Sequence, residues 1–195
     1  MQLSAQPGRT SLSAPASGGD SLQGQECCSL DTIQQEMERL PAGVRRLAVQ
    51  LRLQLDPEWL WTVLTDYDNL SRFIPNLQSS RQLWRRGCVV GLEQEGAQKF
   101  IGLRFRARVQ LELTEHREEQ RLTFVMTKGD FRRFEGAWQI GHDPAGTSLY
   151  YELTVQGCVG MPITLIEQRL RDDLAANLRA VQLEAQRRAA QAGVV

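Results

Sequence analysis

The sequence predicts an α+β fold in which a curved, seven-stranded antiparallel sheet wraps around a long C-terminal helix. Three observations lead to this prediction: a helical apolar repeat near the C-terminus, a series of alternating segments separated by short polar breaks, and two short helical segments after the first of them. The breaks have hairpin length, which favours antiparallel pairing of consecutive strands. We therefore expect one domain of two layers.

The C-terminal helix is predicted over residues 160–190. Pro162 suits a first helical position, and no further Gly or Pro occurs before Gly193. One stripe of aliphatic side chains recurs at three- and four-residue steps: Ile163, Ile166, Leu170, Leu174, Leu178, Val181 and Ala185. Glu167 lies near the edge of this stripe, where we expect it to turn outward to Arg171.

Alternation of apolar and polar residues predicts the strands. The first strand follows Val44 and reaches Leu55. Asp56 and Pro57 then begin a short helix, and a second short helix is predicted at 68–74. Six further strands are predicted at Leu77–Arg85, Val89–Glu95, Phe100–His116, Arg121–Thr127, Arg133–Gly141 and Ser148–Gln156. Their inward side chains would cover the stripe of the long helix.

The chain divides into three predicted parts. Residues 1–28 are rich in Ser, Gly, Ala, Pro and Gln, and we expect a disordered tail because they cannot bury enough apolar surface. An untargeted tail is favoured over an organelle presequence, since Arg9 is the only basic residue before Asp20. Residues 29–40 are predicted to be a short helix or linker, and 41–192 the folded, ligand-binding domain.

Composition argues against several classes of partner. The 23 basic and 23 acidic side chains cancel, so no overall field attracts nucleic acid, and no DNA partner is expected. The four cysteines lack metal-ligand spacing and nearby histidines, so no metal is expected. No apolar run approaches the ~20 residues of a membrane span. The sequence thus predicts a soluble cytoplasmic protein with no integral membrane segment and, lacking a Gly-rich phosphate loop, no cofactor.

Two segments carry a resemblance to a known superfamily. LTDYDNLSRFIPN at Leu64–Asn76 and KGDFRRFEGAWQI at Lys128–Ile140 resemble the START-like (SRPBCC) superfamily, most closely its polyketide cyclase/dehydrase and coenzyme Q-binding branch. The resemblance covers residues 45–187. It implies a helix-grip fold, in which the sheet and the C-terminal helix enclose a lipid, sterol, quinone, isoprenoid or polyketide. It implies no fixed catalytic set, because members range from cyclases to lipid carriers, quinone chaperones and a ribosome-binding factor.

Seven residues are candidates for contact with such a ligand. Tyr151 and Asn177 offer polar groups in an otherwise apolar setting, where a polar group needs a partner. The remaining candidates are apolar and would line the pocket: Phe105, Phe124, Trp138, Leu170 and Leu174. Each of the seven also fits a purely structural role, since the apolar ones suit a core, and Tyr151 and Asn177 could bond to backbone groups. No catalytic residue is assigned, because His116 and His142 lie at predicted strand ends, distant in sequence from any cysteine.

A basic row is predicted on the opposite face of the longest strand. Arg104, Arg106 and Arg108 alternate with inward apolar residues and would point to solvent. Such a row is commonly a solvated face, and the alternative is a docking patch for acidic protein or RNA. The solvent-facing side of this strand carries no aromatic side chain on which a base could stack beside these arginines, which disfavours RNA.

Three functional hypotheses follow. The leading one is non-catalytic binding or transport of a hydrophobic small molecule between the sheet and the C-terminal helix. The second is a polyketide cyclase or dehydratase that acts in the same cavity through Tyr151, Asn177 or a carboxylate. The third is a protein- or ribosome-interaction module that uses the basic strand face.

Overall fold

The computed structural model describes residues 32–100, 103–158 and 163–193. The predicted tail at 1–28 lies outside the described residues. The eight strands of the described ranges are β1 (Ile33–Arg39), β2 (Val44–Leu53), β3 (Leu77–Arg86), β4 (Val89–Phe100), β5 (Leu103–His116), β6 (Arg121–Gly129), β7 (Arg133–Asp143) and β8 (Gly146–Gln156). The α-helices are α1 (Pro57–Leu64) and α2 (Ile163–Gln191), with short 3-10 helices at Pro41–Gly43 and Tyr67–Arg72.

The strands form one antiparallel sheet in the order β1-β2-β8-β7-β6-β5-β4-β3. Every pair except β2 and β8 is consecutive in the chain, as the hairpin-length breaks predict. The pairing of β2 with β8 brings the first and last strands of the predicted sheet together. The α+β, helix-grip architecture predicted from the sequence is thus confirmed, and α2 contacts α1, β1, β2 and β8 most closely.

The first strand corrects two predictions. Residues 29–40 were expected to be a short helix or linker, but Ile33–Arg39 forms β1, so the sheet has eight strands in the described ranges rather than seven. All seven residues of β1 pair with β2. Gln, Glu, Met and Arg favour helices only weakly, and a full ladder of backbone hydrogen bonds outweighs that preference. Ile33 and Met37 also pack against the core.

The core lies between the sheet and the apolar stripe of α2. Leu174, Leu178, Val181 and Ala185 are all almost fully buried, as their spacing predicts. α1 packs beside them through residues that include Leu60, and its first turn is capped by the Asp56 carboxylate, which accepts a hydrogen bond from the Glu58 backbone N–H at 2.8 Å. No helix in the described ranges is long and apolar enough to cross a bilayer.

Glu167 fastens the early part of α2 to the β1–β2 hairpin. The expectation that it turns outward to Arg171 is wrong: its carboxylate accepts hydrogen bonds from Arg45 Nε at 2.5 Å and Arg39 Nη2 at 2.8 Å. These two guanidinium groups lower the pKa of Glu167. The physical reason for the difference is β1, which the sequence did not predict and which brings Arg39 beside the helix.

Glu184 fastens the other end of α2. Arg187 donates to both of its oxygens at 2.7 Å, and Arg188 donates to Glu184 at 2.7 Å and to Asp66 at 2.8 Å. The hydrogen bonds from Arg187 and then Arg188 lower the pKa of Glu184 to about 2. The Arg188 contact with Asp66 ties the end of α2 to the segment that follows α1.

This cluster predicts a pH dependence of stability. Because the folded-state pKa of Glu184 is about 2 against an ordinary 4.5, the unfolded chain binds the proton first, and stability is lost as pH falls from 4.5 toward 2. Glu184→Gln should therefore flatten the fall in the free energy of unfolding over this window, measured by urea unfolding at several pH values. Glu118→Gln, at an exposed turn, is the control and should keep the wild-type slope. Equal slopes for Glu184→Gln and wild type would contradict the assignment.

Candidate functional site

An aromatic cluster covers the inner face of β6, β7 and β8. Its members are Phe124, Phe134, Trp138 and Tyr151. Trp138 and Tyr151 face each other across β7 and β8, and their rings stack with centroids 3.9 Å apart and planes 2° apart. The Phe124 ring lies 6.3 Å from Tyr151 and 5.9 Å from Phe134. These contacts join the four rings into one cluster.

Gly136 makes room for this cluster. It lies between Phe134 and Trp138 on β7 and pairs with Phe124. A Cβ atom at this position would lie 2.7 Å from Phe124 Cζ and 2.0 Å from the Glu152 carbonyl oxygen. Any other residue would therefore push the Phe124 ring and β8 away from β7.

Some apolar side chains on β7 and α2 are only partly buried by neighbouring residues. Phe134, Trp138 and Leu170 pack against the core and yet remain only partly buried. Leu174, one turn after Leu170 on α2, is buried. Phe134 and Trp138 on β7 and Leu170 on α2 thus keep apolar surface that is not covered by their neighbours.

Tyr151 places a hydroxyl group within the cluster. Burial, and to a lesser extent the Asp173 carboxylate, raises the pKa of Tyr151 well above its ordinary value. The phenol therefore stays protonated and is a hydrogen-bond donor at any physiological pH.

Asn177 presents an unsatisfied amide on the helix side. Its Oδ1 is shielded from solvent and has no hydrogen-bond partner among the described residues. Asp173, one turn earlier, accepts a hydrogen bond from Asn76 Nδ2 at 3.0 Å, which places this flank of α2 beside the segment before β3. An unpaired buried carbonyl costs about 1–3 kcal/mol, so a hydrogen-bond donor brought to this oxygen would be stabilising.

The structure places six of the seven predicted ligand contacts on β6, β7, β8 and α2. Phe124, Tyr151 and Leu174 are buried, whereas Trp138, Leu170 and Asn177 are partly buried. The side chain of the seventh, Phe105, lies outside the described residues. Their role in binding stays a prediction. Two residues of this region are not among the seven: Phe134, which shares the inward alternation of Trp138, and Asp173, which lies one helical turn before Asn177.

The histidines lie away from this site. His116 and His142 occupy the ends of β5 and β7, as predicted, and their rings contact Thr123 Oγ1 at 3.3 Å and Thr147 Oγ1 at 3.1 Å. In the described parts of the chain, His, Cys, Asp and Glu form no group of three or more that could hold a metal ion.

The predicted basic row is accompanied by acidic neighbours. Arg106 and Arg108 on β5 are 68% and 63% exposed, and both reach Glu95 on β4, at 3.7 Å and 3.1 Å. Glu95 offsets part of the positive charge that a docking patch for acidic protein or RNA would use. The Arg104 side chain lies outside the described residues.

Comparison with protein families identifies the family of this chain. Residues 53–182, two thirds of the chain, match the model of a family described as polyketide cyclase/dehydrase and lipid transport. The chain belongs to this family. Membership confirms the resemblance inferred from the two sequence segments. It indicates a function based on a hydrophobic ligand, either in lipid transfer or in polyketide cyclisation.

Solved structures with the same fold include proteins of both kinds. The Zhui aromatase/cyclase from Streptomyces sp. R1128 is 15% identical with a TM-score of 0.69, and the match covers 78% of this chain and 99% of that one. A STAR-related lipid transfer protein from Xanthomonas axonopodis is 14% identical with a TM-score of 0.68, covering 81% and 96%. A START superfamily protein from Mycobacterium smegmatis is 14% identical with a TM-score of 0.61, covering 73% and 97%. No curated protein matches the sequence. At these identities the likeness shows the fold alone.

Proposed function

We propose that this protein binds and carries a hydrophobic small molecule that bears a polar oxygen, without altering it chemically. The ligand occupies the space between the aromatic cluster and the first half of α2. The observation that carries this proposal is the unsatisfied Asn177 amide oxygen on the helix side of a partly uncovered aromatic surface. A lipid, quinone, isoprenoid or polyketide-like molecule fits this description.

Desolvation supplies the affinity in this account. The partly buried surfaces of Phe134, Trp138 and Leu170 would be removed from water together with the ligand. Burying about 200 Å² of apolar ligand surface is worth about 5 kcal/mol at ~25 cal/mol per Å². Only part of this appears as affinity, because ordering the ligand opposes it.

Two polar groups would orient the ligand. Tyr151 donates a hydrogen bond through its protonated hydroxyl, and Asn177 offers an amide whose terminal torsion can rotate at little cost. A ligand hydroxyl can accept from Tyr151 and donate to Asn177 Oδ1, whereas a pure hydrocarbon leaves Asn177 Oδ1 unpaired. Satisfying the orphaned oxygen favours an oxygenated ligand over its hydrocarbon analogue.

The carrier function is tested by analysis of the bound material. Protein purified under native conditions and extracted with organic solvent should release one reproducible class of oxygenated apolar molecule, identified by mass spectrometry. Trp138→Ala, which removes the stacked ring of the cluster, should release markedly less. Val125→Ala, on the exposed opposite face of the sheet, is the control and should release the wild-type amount. A consistently empty protein that also binds no added lipid, quinone or isoprenoid would overturn the proposal.

The cyclase or dehydratase function is the second candidate, and the Tyr151 hydroxyl is the observation that favours it. A protonated phenol inside an apolar site can polarise a substrate carbonyl. The two candidates differ in what Tyr151→Phe does. Under the carrier proposal the variant still binds its ligand and releases it unchanged. A polyketide-like ligand that the wild type converts, and that Tyr151→Phe binds without conversion, would favour the enzyme instead.

A further inference from the structure

The outward face of α2 carries an apolar patch that the carrier function does not use. Leu183 is 63% exposed, more than any other large hydrophobic residue in the described ranges, and lies on the side of α2 opposite the buried stripe. Beside it an open groove of about 450 Å³ runs between α2 and the segment before β3. Its apolar lining includes Phe73, Pro75, Ala176, Ala180 and Leu183 itself. A protruding apolar side chain next to an apolar groove is typical of an interaction surface.

We propose that this groove is the interface of a homodimer in which the α2 helices of two copies pack antiparallel. In this arrangement Leu183 of each copy enters the groove of the other at Ala176 and Ala180. The small alanine side chains leave the room that a leucine needs. The surface is then self-complementary, as an isologous two-fold interface requires. Leu183 lies seven residues from Ala176, about 10 Å along the helix at ~1.5 Å per residue, which is within the span of one groove.

The charges on this face select the antiparallel arrangement. Asp172 and Arg187 have the same midpoint in the sequence as Ala176 and Leu183, between residues 179 and 180. The packing that seats Leu183 against Ala176 therefore brings Arg187 of one copy to the level of Asp172 of the other. Arg187 also donates to Glu184 and Gln191 within its own chain, and the remaining N–H groups of its guanidinium can serve a second carboxylate. Parallel packing would instead place like charges together.

A second copy fits this surface better than an anionic membrane does. Glu184 lines the groove together with Arg179 and Arg187, so the groove itself carries both signs of charge. The chain as a whole has no net charge, so electrostatic attraction to anionic lipid is weak. A concave lining next to one protruding leucine also suits a matching protein surface more than a flat bilayer.

Light scattering after size-exclusion chromatography tests the proposal on the full chain. The wild type should have twice the monomer mass of 22.1 kDa at micromolar concentration and dissociate on dilution. Leu183→Glu should be monomeric at the same concentration. Val125→Glu places the same charge at an exposed apolar position on the outer face of the sheet and should stay dimeric. A wild type that is monomeric at ~100 μM, where even a weak specific interface is populated, would overturn the proposal.

A charge exchange tests the orientation of the helices. Arg187→Asp and Asp172→Arg should each raise the dissociation constant of the dimer, and the double variant should return it to within about threefold of wild type. If Arg187→Asp weakened the dimer only by removing the Arg187–Glu184 contact within one chain, adding Asp172→Arg would not restore the dissociation constant. Such a lack of rescue would contradict the antiparallel pairing. Sedimentation with vesicles of phosphatidylcholine and phosphatidylglycerol completes the test. Vesicle binding that Leu183→Glu abolishes, in a chain that is monomeric without vesicles, would assign the groove to a membrane and overturn the dimer.

Discussion

Leu178→Ala should lower the free energy of unfolding by about 3–5 kcal/mol, the range for truncating a fully buried leucine that leaves a cavity. Leu178 has no solvent exposure and lies in the stripe that joins α2 to the sheet and to α1. The closely packed surroundings can relax only partly into the space, so lost contacts add to the lost transfer free energy. Urea unfolding followed by circular dichroism measures the change.

Leu183→Ala is the matched control for this prediction. It makes the same substitution on the same helix at a position that is 63% exposed. Measured at high dilution, where the chain is monomeric, it should change the free energy of unfolding by less than about 0.5 kcal/mol. Similar losses for Leu178→Ala and Leu183→Ala would mean that α2 does not bury its Leu174–Ala185 stripe against the sheet.

Asn177→Leu should separate stability from binding. Removing the orphaned Oδ1 should stabilise the empty protein by about 1–2 kcal/mol, because the desolvated carbonyl no longer lacks a partner. The same change should weaken binding of an oxygenated ligand about tenfold, since one hydrogen bond of the bound state is lost. Binding of a hydrocarbon analogue should be unchanged or tighter. Farnesol and farnesene, which share a carbon skeleton, make a suitable pair of probes for fluorescence titration, because Trp138 lies in the site.

Gln120→Met is the control for Asn177→Leu. Gln120 Oε1 is the other buried side-chain oxygen without a partner in the described ranges, and it lies at the turn between β5 and β6, away from the aromatic cluster. Its removal should leave the preference for farnesol over farnesene at the wild-type value. If Asn177→Leu also leaves that preference unchanged, Asn177 does not contact the ligand's oxygen.

Much of the fold follows from periodicity in the sequence, and the exceptions have a common cause. The strands after Pro75 and the long helix carry strong alternation or helical repeats, so their existence and most of their bounds could be predicted. β4 is longer than expected: it runs to Phe100, which was predicted to begin the next strand, whereas Glu95 was its predicted end. β1 could not, because Gln34, Glu36 and Glu38 favour a helix locally and the segment becomes a strand only through pairing with β2. The contact of Glu167 with Arg39 was missed for the same reason.

The candidate site was predictable in its residue types but not in its arrangement. Alternation along β7 and β8 predicts that Trp138 and Tyr151 face inward, and the helical repeat of α2 predicts the same for Asn177. The stacking of Trp138 on Tyr151 depends on the register between β7 and β8, and a shift of one residue would turn one of the rings outward. The lack of a partner for Asn177 Oδ1 depends on every neighbouring element at once. No local pattern reports it.

The proposed function requires a ligand between the sheet and α2. Crystals of the protein purified from its own source would test this claim through electron density at that place. We predict continuous density for one apolar molecule against the Trp138 and Tyr151 rings, with an oxygen atom within about 3 Å of Asn177. A well-ordered structure in which Leu170 and Trp138 close onto each other, with Asn177 bonded to the protein and no space left between sheet and helix, would contradict it.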